Sequence, residues 1–294
     1  MWVIFSILAA LCWSVSNIID KYVLTRWVRK PLVPVIVSGI VELVVGITVY
    51  FIYGFSHLSY FNVFLALISG ATTILLYVLY FKALQIEEAS RIIPLFYLAP
   101  LFILVFAAIF LNEIFSPLKY LGILLLIAGA IFISVRSFSK IRLGRAFYWM
   151  VLAAGFSAIG ALLSKYLLNF ADFWTIFGYK SIGMAISSIP IVFLYLPELI
   201  KTVKQYGKKA IIAMSASEAI TLLGTLFIII ATSFGYVTLV NTLSSVQPFF
   251  VLVITVMLSI FYPRILKEEM SKALIVQKTI AIVLMFIGVI IITQ

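Results

Sequence analysis

Apolar residues run along this chain in blocks of about twenty, broken by short polar intervals. About 20 apolar residues in a helix cross a hydrocarbon core ~30 Å thick. The blocks fall near 2–24, 34–53, 61–84, 91–112, 117–135, 147–169, 173–196, 209–232, 236–260 and 274–293. Two intervals decide the count. Residues 219–263 carry no charge at all, and one helix of that length would measure roughly 68 Å. The chain must therefore reverse, and Ser233-Phe234-Gly235 is the natural break. The third and fourth blocks are separated by KALQIEEASR, too polar for lipid, with Ser90 placed to cap the fourth helix. The pattern predicts ten helices.

The two halves repeat. At an offset of 148, Ala71, Thr73, Leu75, Ala83, Leu95, Pro100 and Phe102 fall on Ala219, Thr221, Leu223, Ala231, Leu243, Pro248 and Phe250. Near the start the offset is 144, and DKYVL (20–24) falls on SKYLL (164–168). Leucines coincide by chance between apolar helices, but a shared mid-run proline and a shared Lys-Tyr do not. The expected fold class is all-α integral membrane, ten transmembrane helices as two inverted five-helix repeats, 1–140 and 141–294. An odd number of helices per copy makes the second copy enter from the opposite side, the architecture of many secondary transporters. Pro100 and Pro248 each remove a backbone donor inside an apolar run. Such prolines are tolerated in lipid where neighbours or a water-filled cavity satisfy the freed carbonyl. They are candidate kinks or gates lining a central cavity; inherited packing kinks are the alternative.

Composition agrees: 65% of residues are hydrophobic and 11% charged, against roughly a quarter charged in soluble domains. The first block has no basic leader or small-residue cleavage site, so it reads as a retained span. A single cysteine, Cys12, excludes an internal disulfide framework and a cysteine metal cluster. No cofactor and no metal site are expected.

The first helix, CWSVSNIIDKYVL, and the run YFKALQIEEASRIIPLFYLAPLFILVFAAIFLNEIFSPLKYLGILLLIAGAIFIS (80–134) resemble the EamA family of the drug/metabolite transporter superfamily. The run has an Ala-Leu before a short acidic turn, a proline in the fourth helix, a Leu-x-Glu ending at Glu113, and a glycine-bearing fifth helix. The resemblance implies ten helices in two inverted repeats around a central substrate cavity. The second half departs from it through the longer link YPRILKEEMSK (262–272), where Glu268 or Glu269 replaces Glu113.

All but a few of the 21 Lys and Arg lie on one set of links. They include Arg26, Arg29 and Lys30; Lys82 and Arg91; Arg136, Lys140, Arg142 and Arg145; Lys201, Lys204, Lys208 and Lys209; and Arg264, Lys267 and Lys272. The positive-inside rule places these links in the cytoplasm and both termini outside the cell membrane. Many EamA members instead carry basic residues after helix two, where this chain has the uncharged GFSHLSYFN. The net charge of +11 is accounted for by basic links on an anionic leaflet, with no nucleic-acid partner.

Ionisable groups inside the membrane are candidates for function. Glu42, Lys180 and Glu218 each lie about eight residues, or roughly 12 Å, into their spans. Glu218 or Glu42 is the candidate to bind a coupling proton, with Lys180 as counter-charge; a buried pair that only fixes packing is the other reading. Lys21, Lys165 and Asp20 read as interfacial residues at span ends. Asn17, Asn241 and Gln247 are deep enough to need partners, either neighbouring helices or substrate. In the family helices one, three and four line the cavity, which makes Trp13, Tyr77, Tyr80 and Tyr97 cavity candidates. Gly122, Gly129 and Gly288 suit close helix approach, or a dimer face.

Other classes fit less well. His57, the single histidine, lies in a link, so no intramembrane histidine metal pair or Ser/His dyad is available, and no GxxxxGK[ST] loop is present. No filter-like loop suggests a channel. The expectation is a secondary transporter in the lipid bilayer, monomer or homodimer, working by alternating access on a small organic metabolite. Amino-acid export follows from the family; a proton-coupled multidrug or lipophilic-cation exporter is the alternative.

Overall fold

The computed structural model describes residues 1–28, 30–86, 93–134, 144–261 and 272–294. Ser90, Glu268, Glu269, the join at 140/141 and the basic residues Arg29, Arg91, Arg136, Lys140, Arg142, Arg264 and Lys267 lie outside the described residues.

Among the described residues the regular structure is helical. The elements are α1 (Trp2–Arg26), α2 (Val33–Tyr53), α3 (Tyr60–Ile86), a 3₁₀ turn (Ile93–Leu98), α4 (Ala99–Phe110), α5 (Pro117–Ser134), α6 (Arg145–Leu167), α7 (Phe173–Tyr206), α8 (Lys208–Phe234), α9 (Val237–Ser244), α10 (Gln247–Phe261) and α11 (Lys272–Thr293). Eight helical stretches are long and apolar enough to cross a membrane, and two shorter apolar ones run over Leu95–Phe110 and Pro117–Phe132.

The helices turn large apolar residues outward and small or polar ones inward. On α2, Ile40, Val44, Ile47 and Phe51 are exposed, while Gly39, Glu42, Gly46 and Val49 are buried. Lipid rewards the first set no less than the protein interior would. Close backbone approach and hydrogen bonding therefore decide what packs inward. The strongest pairings are α1 with α8, α3 with α6, α2 with α7, and α5 with α11. Gly122 and Gly288 sit in the last of these, where a Cβ on Gly288 would lie 2.7 Å from the Gly122 carbonyl oxygen. Gly129 meets the Ala281 carbonyl in the same seam. The expected close approach is there, and it is internal: α11 covers the face that also suited a dimer contact.

Three boundaries differ from the hydropathy pattern. The seventh block continues past 196 as a single 34-residue helix through Pro190 and Pro197 to Tyr206, a length of roughly 51 Å. Lys201 and Lys204 therefore lie on a helix, where Lys201 pairs with Glu198 at 2.9 Å, and the joint to α8 is the single residue Gly207 at φ 70°. Leaving the lipid ends the apolar pattern but not the helix. The ninth block is broken into α9 and α10 across Ser245-Val246, with Ser245 and Val246 donating three residues back to Thr242 and Leu243. The prolines, finally, do not interrupt continuous helices. Pro100 is the second residue of α4, after the 3₁₀ turn, and Pro248 the second residue of α10. First-turn N–H groups have no intrahelical acceptor, so a proline there loses nothing.

Candidate functional site

A polar cluster forms where α1, α2, α3, α7 and α8 meet. On α1, Trp13, Ser16 and Asp20 recur at intervals of three and four residues, which places them on one helical face. On α8, Ser217 and Thr221 do the same. The two stripes interlock. Trp13 Nε1 donates to the Thr221 carbonyl at 3.3 Å, and the Ser16 hydroxyl meets those of Ser217 at 3.0 Å and Thr221 at 2.5 Å. Ser217 Oγ donates to Asp20 Oδ1 at 2.6 Å. Asp20 thus faces α8 beside Glu218, four residues before the apolar stretch of α1 ends at Leu24.

From α2, Ser38 Oγ donates to Glu218 Oε2 at 2.5 Å. Glu42 lies one turn further along the same face, hydrogen-bonded by Ser181 of α7 and within electrostatic range of Lys180. Glu42 is 2% exposed and Glu218 7%. Tyr77 on α3 lies within electrostatic range of Glu218, Glu42 and Asp20, and Tyr80 of Asp20. The backbones of α3 and α7 touch here, because Gly70 sits against Lys180 and Gly183 against Leu67.

Glu42 Oε2 and Glu218 Oε1 are buried and have no hydrogen-bond partner among the described residues. A buried carboxylate oxygen without a donor costs on the order of 1–3 kcal/mol. Each is an acceptor that a proton or an N–H group can fill. The cluster holds three carboxyl groups, and Lys180 lies within electrostatic range of one of them, Glu42.

The structure thus brings Glu42, Lys180, Glu218, Tyr77, Tyr80 and Trp13 together. Asn17 is exposed on α1, one turn from Trp13. Tyr97 is buried in an apolar cluster with Ala10, Ala130 and Val246. Asn241 Nδ2 donates to Val237 O on its own helix at 2.9 Å, and the backbone carbonyl of Gln247 accepts from Ser14 Oγ at 3.0 Å. Tyr97, Asn241 and Gln247, with Pro100 and Pro248, lie apart from the carboxyl groups. Ser16, Ser38, Ser181, Ser217 and Thr221 were not anticipated, although their spacing against Trp13, Asp20, Glu42 and Glu218 was open to reading.

A second polar site occupies the end of the bundle at which α1 begins. Glu113, 2% exposed, accepts the backbone N–H groups of Val237 at 2.8 Å and Thr238 at 3.0 Å, the first residues of α9. Lys165 Nζ donates to the carbonyls of Thr232 at 2.9 Å and Gly235 at 2.7 Å. Lys165 therefore reads as a cap on the end of α8. Between them lies a cavity of about 460 Å³ lined by Trp2, Glu113, Lys165, Asn169, Ser233 and Tyr236 among others.

Apolar helices around buried carboxyl groups define a helical, multi-pass membrane protein. Residues 1–135 match the EamA-like transporter family. A curated relative, an uncharacterized transporter in the cobO 3′ region of Sinorhizobium sp., is 36% identical over 72 residues. That match takes in 24% of this chain and 50% of the relative, so the chain spans about half the length of the curated relative it matches. One solved crystal structure, described only as that of a protein, superimposes with a TM-score of 0.73 at 18% identity, over 99% of this chain and 96% of that one. It bears on the fold alone.

Proposed function

We propose that the chain is a secondary transporter that moves a small organic metabolite by alternating access, with Glu218 and Glu42 as the coupling groups. The observation that carries this is the pair of buried carboxyl groups, each with an empty oxygen, on α2 and α8. Ionisable groups at such depth mark ion or substrate pathways. Two exchangeable halves are supported by the pairing of helices. The α1–α8 contact is matched by α3–α6, and α2–α7 and α5–α11 join corresponding elements of the two halves. Eight long apolar stretches and two shorter ones supply the ten spans of that scheme. One chain carries both halves, so a monomer suffices. The basic links face the cytoplasm of the cell membrane and both termini face outside.

For an amino acid as cargo, Lys180 would take the carboxylate and Glu218 the ammonium. A second reading, export of lipophilic cations, is favoured by the excess of carboxyl groups and by the aromatic Trp13, Tyr77 and Tyr80 around them. Counterflow in proteoliposomes separates the two. Vesicles preloaded with unlabelled amino acids should accumulate the labelled ones saturably if the first reading is right. Accumulation of a lipophilic cation alone would select the second, and accumulation of neither would reject carrier function. Glu218→Gln should abolish flux driven by a pH gradient; unchanged flux in both Glu218→Gln and Glu42→Gln would refute the coupling role.

A further inference from the structure

The α8–α9 joint, residues 232–238, is held by two opposite charges from two other helices. At its start the last carbonyls of α8 have no intrahelical donor, and Lys165 of α6 supplies one to Thr232 and to Gly235. At its end the first N–H groups of α9 have no intrahelical acceptor, and Glu113, in the link after α4, bridges two of them. Each charge also has the sign that the adjacent helix terminus favours. Trp2 packs on Gly235, where an added Cβ would lie 3.0 Å from its ring, and Phe115 meets the Tyr236 ring edge-on at 5.3 Å. The joint is thus fastened to α1, to the link after α4 and to α6 at once.

We propose that Glu113 and Lys165 form a releasable catch that keeps this end of the transporter closed, and that access from this end requires the joint 232–238 to leave them. The geometry suits release rather than permanent anchorage. Every charged contact is made to backbone atoms of a turn next to an eight-residue helix, so the joint can part from Glu113 and Lys165 without unpairing any side-chain ion pair. The cavity of about 460 Å³ beside the catch gives water a place from which to satisfy the freed N–H and carbonyl groups. The repeat offset that superimposes Lys21 on Lys165 sets a lysine at the corresponding place in the first half, at the other end of the bundle, as two alternating gates would need.

The transport consequence rests on the alternating-access reading; the opening itself does not, and the test has an arm for each. In a Cys12→Ser background, Asn169→Cys and Tyr236→Cys place thiols on the turn after α6 and on the joint, both lining the cavity. Bridging them with a short bifunctional thiosulfonate should reduce counterflow at least tenfold, and a reductant should restore it. Undiminished counterflow in the bridged protein would overturn the proposal, because a merely structural clamp tolerates a tether. The second arm needs no substrate. Thr238 is fully buried, and Thr238→Cys should react with an impermeant maleimide at least tenfold faster when Glu113→Gln or Lys165→Gln is added. His57→Cys, in a different link, should label at an unchanged rate and reports that the variants are folded. Equal labelling of Thr238→Cys with and without the catch would also overturn the proposal. A protein with no counterflow for any cargo would refute the carrier reading and leave this arm to decide.

Discussion

At Gly183 the backbones of α3 and α7 touch. An alanine Cβ there would lie 2.8 Å from both Cα and the carbonyl carbon of Leu67, with the Leu67 carbonyl oxygen nearer still. All three are main-chain atoms, so no rotamer change relieves the overlap and the helices must separate. Overpacking of this kind costs about 1–3 kcal/mol, offset by the roughly 0.5–1 kcal/mol that alanine gains over glycine within a helix. The net effect of Gly183→Ala is a destabilisation of about 1–2 kcal/mol. Gly155, in the middle of α6, has no atom within 4 Å of the same hypothetical Cβ, so Gly155→Ala keeps only the gain. The same substitution at two glycines should therefore shift stability in opposite directions. The alanine gain is common to both, so they differ by the overlap cost of about 1–3 kcal/mol. At about 2–4 °C per kcal/mol for a large domain, their melting points should differ by roughly 2–12 °C. Tryptophan fluorescence during heating in detergent reads this directly. Transport should fall with Gly183→Ala as well, since separating α3 from α7 moves Tyr77 away from Lys180. Melting points within about 1 °C of each other would refute the close approach on which the placement of Lys180 depends.

Two further outcomes follow from groups outside the spans. Asp172 caps α7 through the N–H groups of Trp174 at 2.9 Å and Thr175 at 3.1 Å, and accepts from the hydroxyls of Ser56 and Thr175. Burial alone would raise its titration point, but these hydrogen bonds hold the carboxyl below the ordinary carboxylate value. The stability it contributes is therefore present above that ordinary value and is lost as the pH falls through the lowered one. Asp172→Ala should cost about 0.5–2 kcal/mol at neutral pH, with the difference from wild type disappearing in acid; a pH-independent difference in melting point would contradict the cap. For sidedness, His57→Cys in a Cys12→Ser background should react with impermeant reagent applied outside intact cells, and reaction only after permeabilisation would reverse the assigned orientation. Its neighbour Leu58 is 6% exposed and is unsuited to the purpose.

Hydropathy located the helices because lipid imposes one requirement, an apolar exterior, over a fixed thickness. It failed where that requirement lapses. Residues 197–206 are polar and still helical, and the break between α9 and α10 falls inside an uninterrupted apolar run. The prolines marked both breaks, yet a proline in an apolar run reads equally as a kink or as a first turn. Glu42, Lys180 and Glu218 were visible because charge is rare in these segments. The hydroxyls that complete their cluster were not. Ser6, Ser69 and Ser164 bond to carbonyls of their own helices, and nothing in composition separates them from Ser16, Ser38, Ser181 and Ser217, which reach other helices. The partner of Asp20 was hidden for a related reason. Counting from Lys21 put it at a span end, whereas counting from Trp13 and Ser16 puts it on the face that meets α8.

The placement of the breaks separates chemistry from motion. Asp20, Glu42, Lys180 and Glu218 ride on α1, α2, α7 and α8, continuous helices that pack along their length. Pro100 and Pro248 open α4 and α10 next to short helical pieces, and neither of those helices carries an ionisable member of the cluster. A site that must hold carboxyl groups within hydrogen-bonding distance of Ser38, Ser181 and Ser217 needs supports that do not bend. A gate needs the opposite, and α9 is a short helix held at its start by Glu113 and bounded at its end by the turn Ser245-Val246. Loss of the catch should then change how often the site is exposed while leaving its carboxyl geometry intact, which is why labelling and tethering, rather than affinity, are the measurements that bear on Glu113 and Lys165.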